Sequence, residues 1–435
     1  MGSWHEIEFL NLAKVQGGYA FKSDEYQVEG DLLVRIGNLQ KGKISKENSV
    51  YINTSKKSFE DFKLQPDDIL IGLTGDLGKL AKVSQDDLPA LLNQRVGRFI
   101  LSENTDIEFL FQLVTSKYFQ EKLKLYFEGG AQANISPKQI ESVKVFTPED
   151  KPEQTRIAQI LSKADTAIAQ TEALIAKYQR IKTGLMQDLL TRGIDEQGNI
   201  RSKTTHRFVV KNGIEVPEEW EVKTFNQLLS ENIIEDIQDG NHGEKHPKGS
   251  DFVKEGVPFI MASDISKNEI DFLGCKKITE EQYYSLRIGF AKPEDVLLSH
   301  KASIGFVAIV PEEVDKIMLT PQVTYYRIKN KEKLYFRYLS WFMRGEIFQN
   351  ELSNLAKQST RDYIGILMQR NLTLAYPNSK TEQLVISEKI ETIDNHLKAE
   401  NKKLSKAQSL KTGLMQDLLS GKVRVKIDEK TLVNL

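Results

Sequence analysis

The stretches GLTGDL, NQRVGR and GGAQANISPKQ in the first half of the chain collect Lys, Arg, Gln, Asn, Ser and Thr between strand-forming runs. SHKASI, PQVTYY and AKQSTRDYIGI do the same in the second half. Such side chains contact phosphates and base edges, Arg or Lys matching guanine and Asn or Gln matching adenine. One alone is ordinary solvated surface; in corresponding loops of two halves they make a binding face. On loop position and side-chain chemistry, in these stretches and the segments near them, Lys22, Lys79, Gln94, Arg95, Gln132 and Lys138 are candidate DNA contacts in the first half. Lys245, Lys248, Lys301, Gln322, Arg327 and Arg361 are the candidates in the second.

Catalysis has no comparable signature. GDLGK (Gly75–Lys79) lacks the G-x-x-x-x-G-K-[ST] spacing of a phosphate loop and reads as a turn. His242 and His246 lie one helical turn apart in number, but the Gly and Pro around them break any helix that would aim both at a metal, so no metal site is expected. No Ser/His/Asp, Cys/His or G-x-G-x-x-G arrangement stands out, and the chain is expected not to be an enzyme. A single cysteine, Cys275, excludes a disulfide framework and a thiolate zinc site and suits a reducing cytoplasm. With 60 basic against 61 acidic residues, net charge points to no nucleic-acid partner, so any such role needs locally concentrated charge. No apolar run reaches the roughly 18–20 residues of a membrane span. The opening MGSWHEIEFL has no basic and apolar signal pattern, and no secretory signal is expected.

The loops need a frame, and at 435 residues that frame is expected to hold more than one core. KTGLMQDLL occurs twice, at Lys182–Leu190 and Lys411–Leu419. Extended backward to Glu153 and Glu382, the two copies align without a gap. Ile157, Leu161, Ala164, Ile168, Ile175, Ile181, Leu185 and Leu189 match Ile386, Ile390, Ile393, Leu397, Leu404, Leu410, Leu414 and Leu418. Steps of three, four and seven give one apolar helical face, and each helix is expected to pair antiparallel with its counterpart as a coiled coil. A helix of this extent reaches roughly 57 Å at about 1.5 Å per residue. Gly184 and Gly413 each cost about 1 kcal/mol relative to Ala. They are expected near the helix-pair ends, clearing space for a domain or a partner helix.

The repeat continues upstream. Trp4, Phe9, Leu12, Pro66, Asp68, Gly78, Gln94, Phe119, Gln120 and Pro148 pair with Trp220, Phe225, Leu228, Pro293, Asp295, Gly305, Gln322, Phe348, Gln349 and Pro377. The offset widens early in the second half, where the extra residues are expected in Ile237–Asp251. Short β-branched and aromatic runs such as DILIG and GFVAIV predict strands. The fold class is therefore α+β: two pseudo-symmetric domains, each a curved, mostly antiparallel sheet with helices, joined by two long antiparallel coiled-coil helices. The expected boundaries are 1–150, a long helix over 151–192, a linker over 193–207, a second domain over 208–377, a second long helix over 378–420, and a tail over 421–435. Two readers of one duplex sit naturally about 34 Å apart, so a stiff helix pair suits a split DNA site. The alternative is a coiled-coil scaffold whose paired domains bind protein.

TPEDKPEQTRIAQILSKAD, LKTGLMQDLLSGKVRV, GIEVPEEWE and the paired P-x-D-[IV]-L strands, in this order and duplication, resemble the specificity subunit of type I restriction–modification systems. The resemblance covers essentially the whole chain. It implies two target-recognition domains, each reading one half of a bipartite double-stranded DNA site, and helices that set the spacer and dock two methyltransferase subunits, with restriction subunits joining them. It implies no cofactor on this chain, with S-adenosylmethionine, ATP and Mg2+ on the partner subunits.

Overall fold

The computed structural model describes residues 3–426 except 56, 76–77, 127–133, 244, 267 and 359–362. The chain forms two compact units. One comprises Met1–Ala173 with Asn401–Leu435, and the other Leu174–Glu400. Each unit therefore holds the start of one long helix and the end of the other, because those helices run unbroken over Lys151–Thr191 and Lys380–Leu419.

The first unit opens with the strand Trp4–Glu8, antiparallel to Lys144–Pro148, so that Trp4 faces Pro148 just before the helix begins. In the second unit Trp220–Thr224 pairs with Thr373–Pro377 in the same way, and Trp220 faces Pro377. A four-stranded antiparallel sheet follows in each. Its order is Ala13–Gly17, Val96–Leu101, Ile69–Gly72, Leu80–Lys82 in the first unit and Ile234–Asp239, Val323–Ile328, Val296–Ser299, Val307–Ile309 in the second. Each unit adds a second four-stranded sheet with one parallel pair, Asp31–Val34 beside Ala90–Leu92 or Val257–Ile260 beside Ile317–Leu319. The main sheet packs on two helices, Ile107–Thr115 and Lys117–Lys124 or Phe336–Arg344 and Glu346–Gln358. Phe9 lies 5.1 Å from Phe119 in one core, and Phe225 lies 6.2 Å from Phe348 in the other.

The repeated motif residues turn out to be fasteners. In Gln65–Asp68 and Lys292–Asp295 the proline starts a tight turn, and the next residue adopts positive φ (Asp67 70°, Glu294 68°). The motif aspartate accepts the turn's first N–H: Gln65 N to Asp68 Oδ2 is 2.8 Å, and Lys292 N to Asp295 Oδ2 is 2.8 Å. Gly78 and Gly305, both at positive φ, press their hairpins against the side chains of Gln120 and Gln349, leaving no room for a Cβ.

Both helix starts are locked by the same four groups. Glu153 is fully buried and accepts Trp4 Nε1 at 3.2 Å and Arg424 Nε at 2.7 Å. Glu382 accepts Trp220 Nε1 at 3.2 Å and the Arg201 guanidinium, whose Nη2 lies 3.0 Å away. The neighbouring glutamines accept Asp106 N (Gln154, 3.0 Å) and Tyr335 N (Gln383, 2.8 Å), and donate to the carbonyls of Pro148 and Pro377. Each arginine comes from the segment that follows the other unit-spanning helix. The stretch expected as a linker is thus held in place: Arg201 is 7% exposed, and Ile194 pairs with Ile200.

KTGLMQDLL has the same role in both copies. Lys182 pairs with Asp394 in the second unit and Lys411 with Asp165 in the first. Leu189 and Leu190 enter the second unit's core, and Leu418 and Leu419 the first unit's. The helix segments run antiparallel within each unit. The seam keeps a strict three-four alternation, however, and this corrects two predicted positions. It passes through Tyr178, stacked 5.5 Å from His396, and through Lys182, so Ile181 is 40% exposed; in the second helix Lys411 takes the seam and Leu410 is 60% exposed. A Cβ on Gly184 or Gly413 would meet nothing within 4 Å, so no described part of the chain uses the space these glycines leave. Some of the extra length of the second half lies in the helix Phe225–Ser230, where the first unit has only the single turn Phe9–Asn11. Among the described residues no helix is long and apolar enough to cross a membrane.

Candidate nucleic-acid interface

The candidate side chains gather where the main sheet of each unit ends. In the first unit Gln94 N donates to Tyr19 O (2.9 Å), Leu73 N to Arg95 O (3.0 Å) and Ile135 N to Leu73 O (2.9 Å). These bonds tie the segments after Gly17, Gly72 and Leu92, and the one before the helix Pro137–Glu141, into one end surface. Gly18 makes the approach possible, because a Cβ there would strike the backbone of Leu92 and Asn93. Gln94, Arg95, Lys22 and Lys138 are exposed on these segments. Gln94 and Arg95 line a polar cleft of about 480 Å³ together with Arg35, Gln40, Asn48 and Asn93. The Arg35 guanidinium donates to Asn48 O (2.8 Å) and lies 5.7 Å from the Tyr26 ring centre. A fixed guanidinium beside these amides can present paired donors to a base edge or a phosphate. Lys79 lies elsewhere, in a groove with Lys41, Lys43, Asp165 and Lys411.

The second unit repeats the construction. Asn241 N donates to Leu319 O (2.8 Å), His300 N to Gln322 O (2.9 Å) and Ile364 N to His300 O (3.0 Å), and a Cβ on Gly240 would strike Leu319 and Thr320. Lys301 is exposed at this end and bridges to Tyr363. Gln322 is half-buried, and its Oε1 accepts Ala262 N at 3.3 Å. Lys245 and Lys248 are exposed on the segment after Asn241, folded back so that His246 Nδ1 lies 2.9 Å from Asn241 O. Backbone bonding equates Gln322 with Arg95, one residue on from the sequence pairing with Gln94.

Arg327 is a correction. It stands at the opposite end of its strand, where its Nε and Nη2 donate to Asp295 at 3.0 and 2.7 Å and Nη2 also donates to Phe290 O at 2.8 Å. Its side chain is 14% exposed, and burial holds the Asp295 carboxyl above the usual carboxylate range even with that guanidinium beside it. Arg98 serves Asp68 in the first unit, with Nη1 at 3.2 Å. Both arginines are committed to the turn aspartate of the P-x-D motif. Gln132 and Arg361 lie outside the described residues.

The family model for the type I restriction modification DNA specificity domain matches this chain twice, over residues 1–180 and 217–409. The chain belongs to that family. It is 26% identical over 332 residues to the MjaVIII specificity subunit of Methanocaldococcus jannaschii, covering 74% of this chain and 72% of that one. It is 25% identical over 434 residues to the EcoBI specificity subunit of Escherichia coli, covering 96% and 85%. The crystal structure of a type I restriction–modification S subunit from M. genitalium shares the fold at a TM-score of 0.62, with 14% identity and 96% of each chain covered.

Within this specificity-family chain, sequence reasoning passed over Arg35, Asn48, His300 and Tyr363. Arg35 and Asn48 lie on loops of the first unit's second sheet, which carry no repeated motif to mark them. His300 did carry a signal: SHK aligns with Gly72-Leu73-Thr74, a charged or polar residue against an apolar one at a strand end.

Proposed function

We propose that the chain is the DNA-specificity subunit of a type I restriction–modification complex, in which each unit reads one half of a bipartite duplex site. The observation that carries this reading is the pairing of one frame with two different polar sheet ends. Asp68/Asp295, Gly78/Gly305 and Glu153/Glu382 fasten both units alike, while Arg35, Gln94 and Arg95 stand in one unit's surface and Lys245, Lys248 and Lys301 in the other's. Loops that differ on a constant scaffold suit two readers of one class of ligand. The unbroken long helices set the unread gap. Their outward Ile181 and Leu410, each three residues before an open glycine, offer equivalent apolar ground to two methyltransferase subunits, which restriction subunits join. S-adenosylmethionine, ATP and Mg2+ act on those partners, and catalysis belongs to them.

The deciding experiment is a genome-wide map of methylated adenine with and without the gene. Loss of one bipartite motif supports the reading, and no change in any motif defeats it. Purified chain should also lose DNA affinity steeply between about 50 and 200 mM salt, as release of counterions from phosphates requires; a protein-binding scaffold would not. Arg95→Ala should cost about 1–3 kcal/mol of discrimination in a single half-site.

A further inference from the structure

Where the second unit's main sheet ends, three neighbouring strands place polar groups on the face that covers the core. Asp239 stands opposite Thr324, and Leu298 stands opposite Thr324 from the other side. Side chains alternate along a strand, so His300, two residues after Leu298, continues the same face. His300 and Thr324 are fully buried. Neither ring nitrogen of His300, nor Thr324 Oγ1, has a hydrogen-bond partner among the described residues.

The first unit has none of this. Gly97 stands opposite Gly17 where the second unit has Thr324 and Asp239. Leu73, packed in the apolar core, occupies the backbone position of His300. The equivalence is fixed by hydrogen bonds: Leu73 N to Arg95 O and Ile135 N to Leu73 O, against His300 N to Gln322 O and Ile364 N to His300 O. The frame thus accepts leucine here. A buried imidazole with no well-formed hydrogen bond among the described residues costs free energy that a leucine would not, and burial drives its pKa down to about 4, with Asp239 and the backbone of Ile364 and of His300 itself opposing the fall and Lys301 adding to it.

Directly outside His300 lie two groups suited to nucleic acid. The Tyr363 ring centre is 5.5 Å from the His300 ring, and Lys301 Nζ is 5.9 Å from the Tyr363 ring centre. Tyr363 is 38% exposed, and Lys301 is exposed. The corresponding bridge in the first unit joins Thr74 to Asn134, with neither ring nor charge.

We propose that His300, with Asp239 and Thr324 beside it, is a positioning residue that holds the Lys301–Tyr363 pair against the DNA half-site read by the second unit. An ammonium and a phenol stacked at the sheet end offer one strong donor to a phosphate and one hydroxyl to a base edge or sugar. The imidazole ring packs directly against the Tyr363 ring, a flat aromatic support that a leucine cannot give. This inference rests on the DNA-specificity reading above.

The test uses the full complex assembled around this chain, acting on a plasmid library with each half-site randomised in turn, read by adenine methylation. His300→Leu should melt no lower than wild type. It should nevertheless lower methylation of the native motif by roughly tenfold, the scale of one lost base-pair preference, with the relaxed preference confined to one half-site. Tyr363→Ala and Lys301→Ala should relax the same half-site, and His300→Gln, which keeps a donor and an acceptor, should retain most of the activity. Wild-type behaviour of His300→Leu in both half-sites overturns the proposal. Equal loss in both half-sites with a lower melting temperature does so too, because it marks a structural role. If the wild-type complex methylates no bipartite motif, the specificity reading itself has failed, and that result is separable from either outcome.

Discussion

At one backbone position the first unit buries Leu73 and the second buries His300; beside it, Gly17 and Gly97 in the first unit become Asp239 and Thr324 in the second. Around these positions the frames coincide. The same tryptophan, glutamate, glutamine and arginine lock each helix start, and the same Pro-x-Asp turn opens each central strand. The contrast separates two kinds of residue that composition cannot tell apart. Asp68 and Asp295, like Glu153 and Glu382, have partners inside their own unit and belong to the frame. His300 and Thr324, fully buried with no hydrogen-bond partner among the described residues, stand where the units differ.

The helix-start locks give the largest expected effect on this comparison. Arg424→Ala strands the fully buried Glu153 with Trp4 Nε1, and breaking a buried pair in this way costs about 3–5 kcal/mol. Arg201→Ala should cost less, about 2–3 kcal/mol, because Glu382 keeps the Ile194 N–H (3.1 Å) as well as Trp220. Urea unfolding of both variants checks the order, and equal costs would mean that the extra N–H contributes nothing.

The pH dependence of unfolding comes next. The folded pKa of His300 lies below its ordinary value of 6.5, at about 4, so the unfolded chain binds more protons between those limits. Stability from the neutral imidazole is present above pH 6.5 and is lost as pH falls toward 4, by on the order of 3 kcal/mol. His300→Leu should flatten that slope in the second unit's transition, while Leu73→Ala, which has no proton to exchange, should leave the slope untouched.

Arg327→Ala and Arg98→Ala should each destabilise by about 1.5–3 kcal/mol and leave half-site preference unchanged. For Arg327 the loss is limited, because Asp295, whose pKa burial already raises, can take up a proton. A change of recognised sequence in Arg327→Ala would restore it as a DNA contact. The smallest effect belongs to the helix glycines. Gly184→Ala and Gly413→Ala should each stabilise the isolated chain by about 0.5–1 kcal/mol, equally, since nothing in the described chain occupies either space. Weakened methyltransferase binding in both would show that a partner does.

Much of this was legible in the amino-acid sequence because a repeat converts residue identity into position. The ungapped match of the long helices marked them as partners, and Trp4/Trp220, Asp68/Asp295, Gly78/Gly305 and Gln120/Gln349 marked points where one geometry is needed twice. Along the expected apolar stripe, Ile157, Leu161, Leu189, Ile386, Ile390 and Leu418 are buried in the units' cores. The stripe failed at Ile181 and Leu410, because apolar side chains were assumed to point inward. Seam phase is set by the three-four alternation, and it puts Lys182 and Lys411 inside with aspartate partners. Arg327 failed for a related reason: an arginine on a strand is a DNA contact or a turn fastener according to which end of the strand it occupies. What the sequence determined by itself was local and periodic, namely helix length, turn chemistry and the existence of two equivalent frames, because these depend on neighbours a few residues away. Tertiary structure alone decided which charges are spent inside the fold and which buried polar groups find no partner among the described residues, because those depend on residues far apart in number meeting in space, such as Arg424 and Glu153 or His300 and Tyr363.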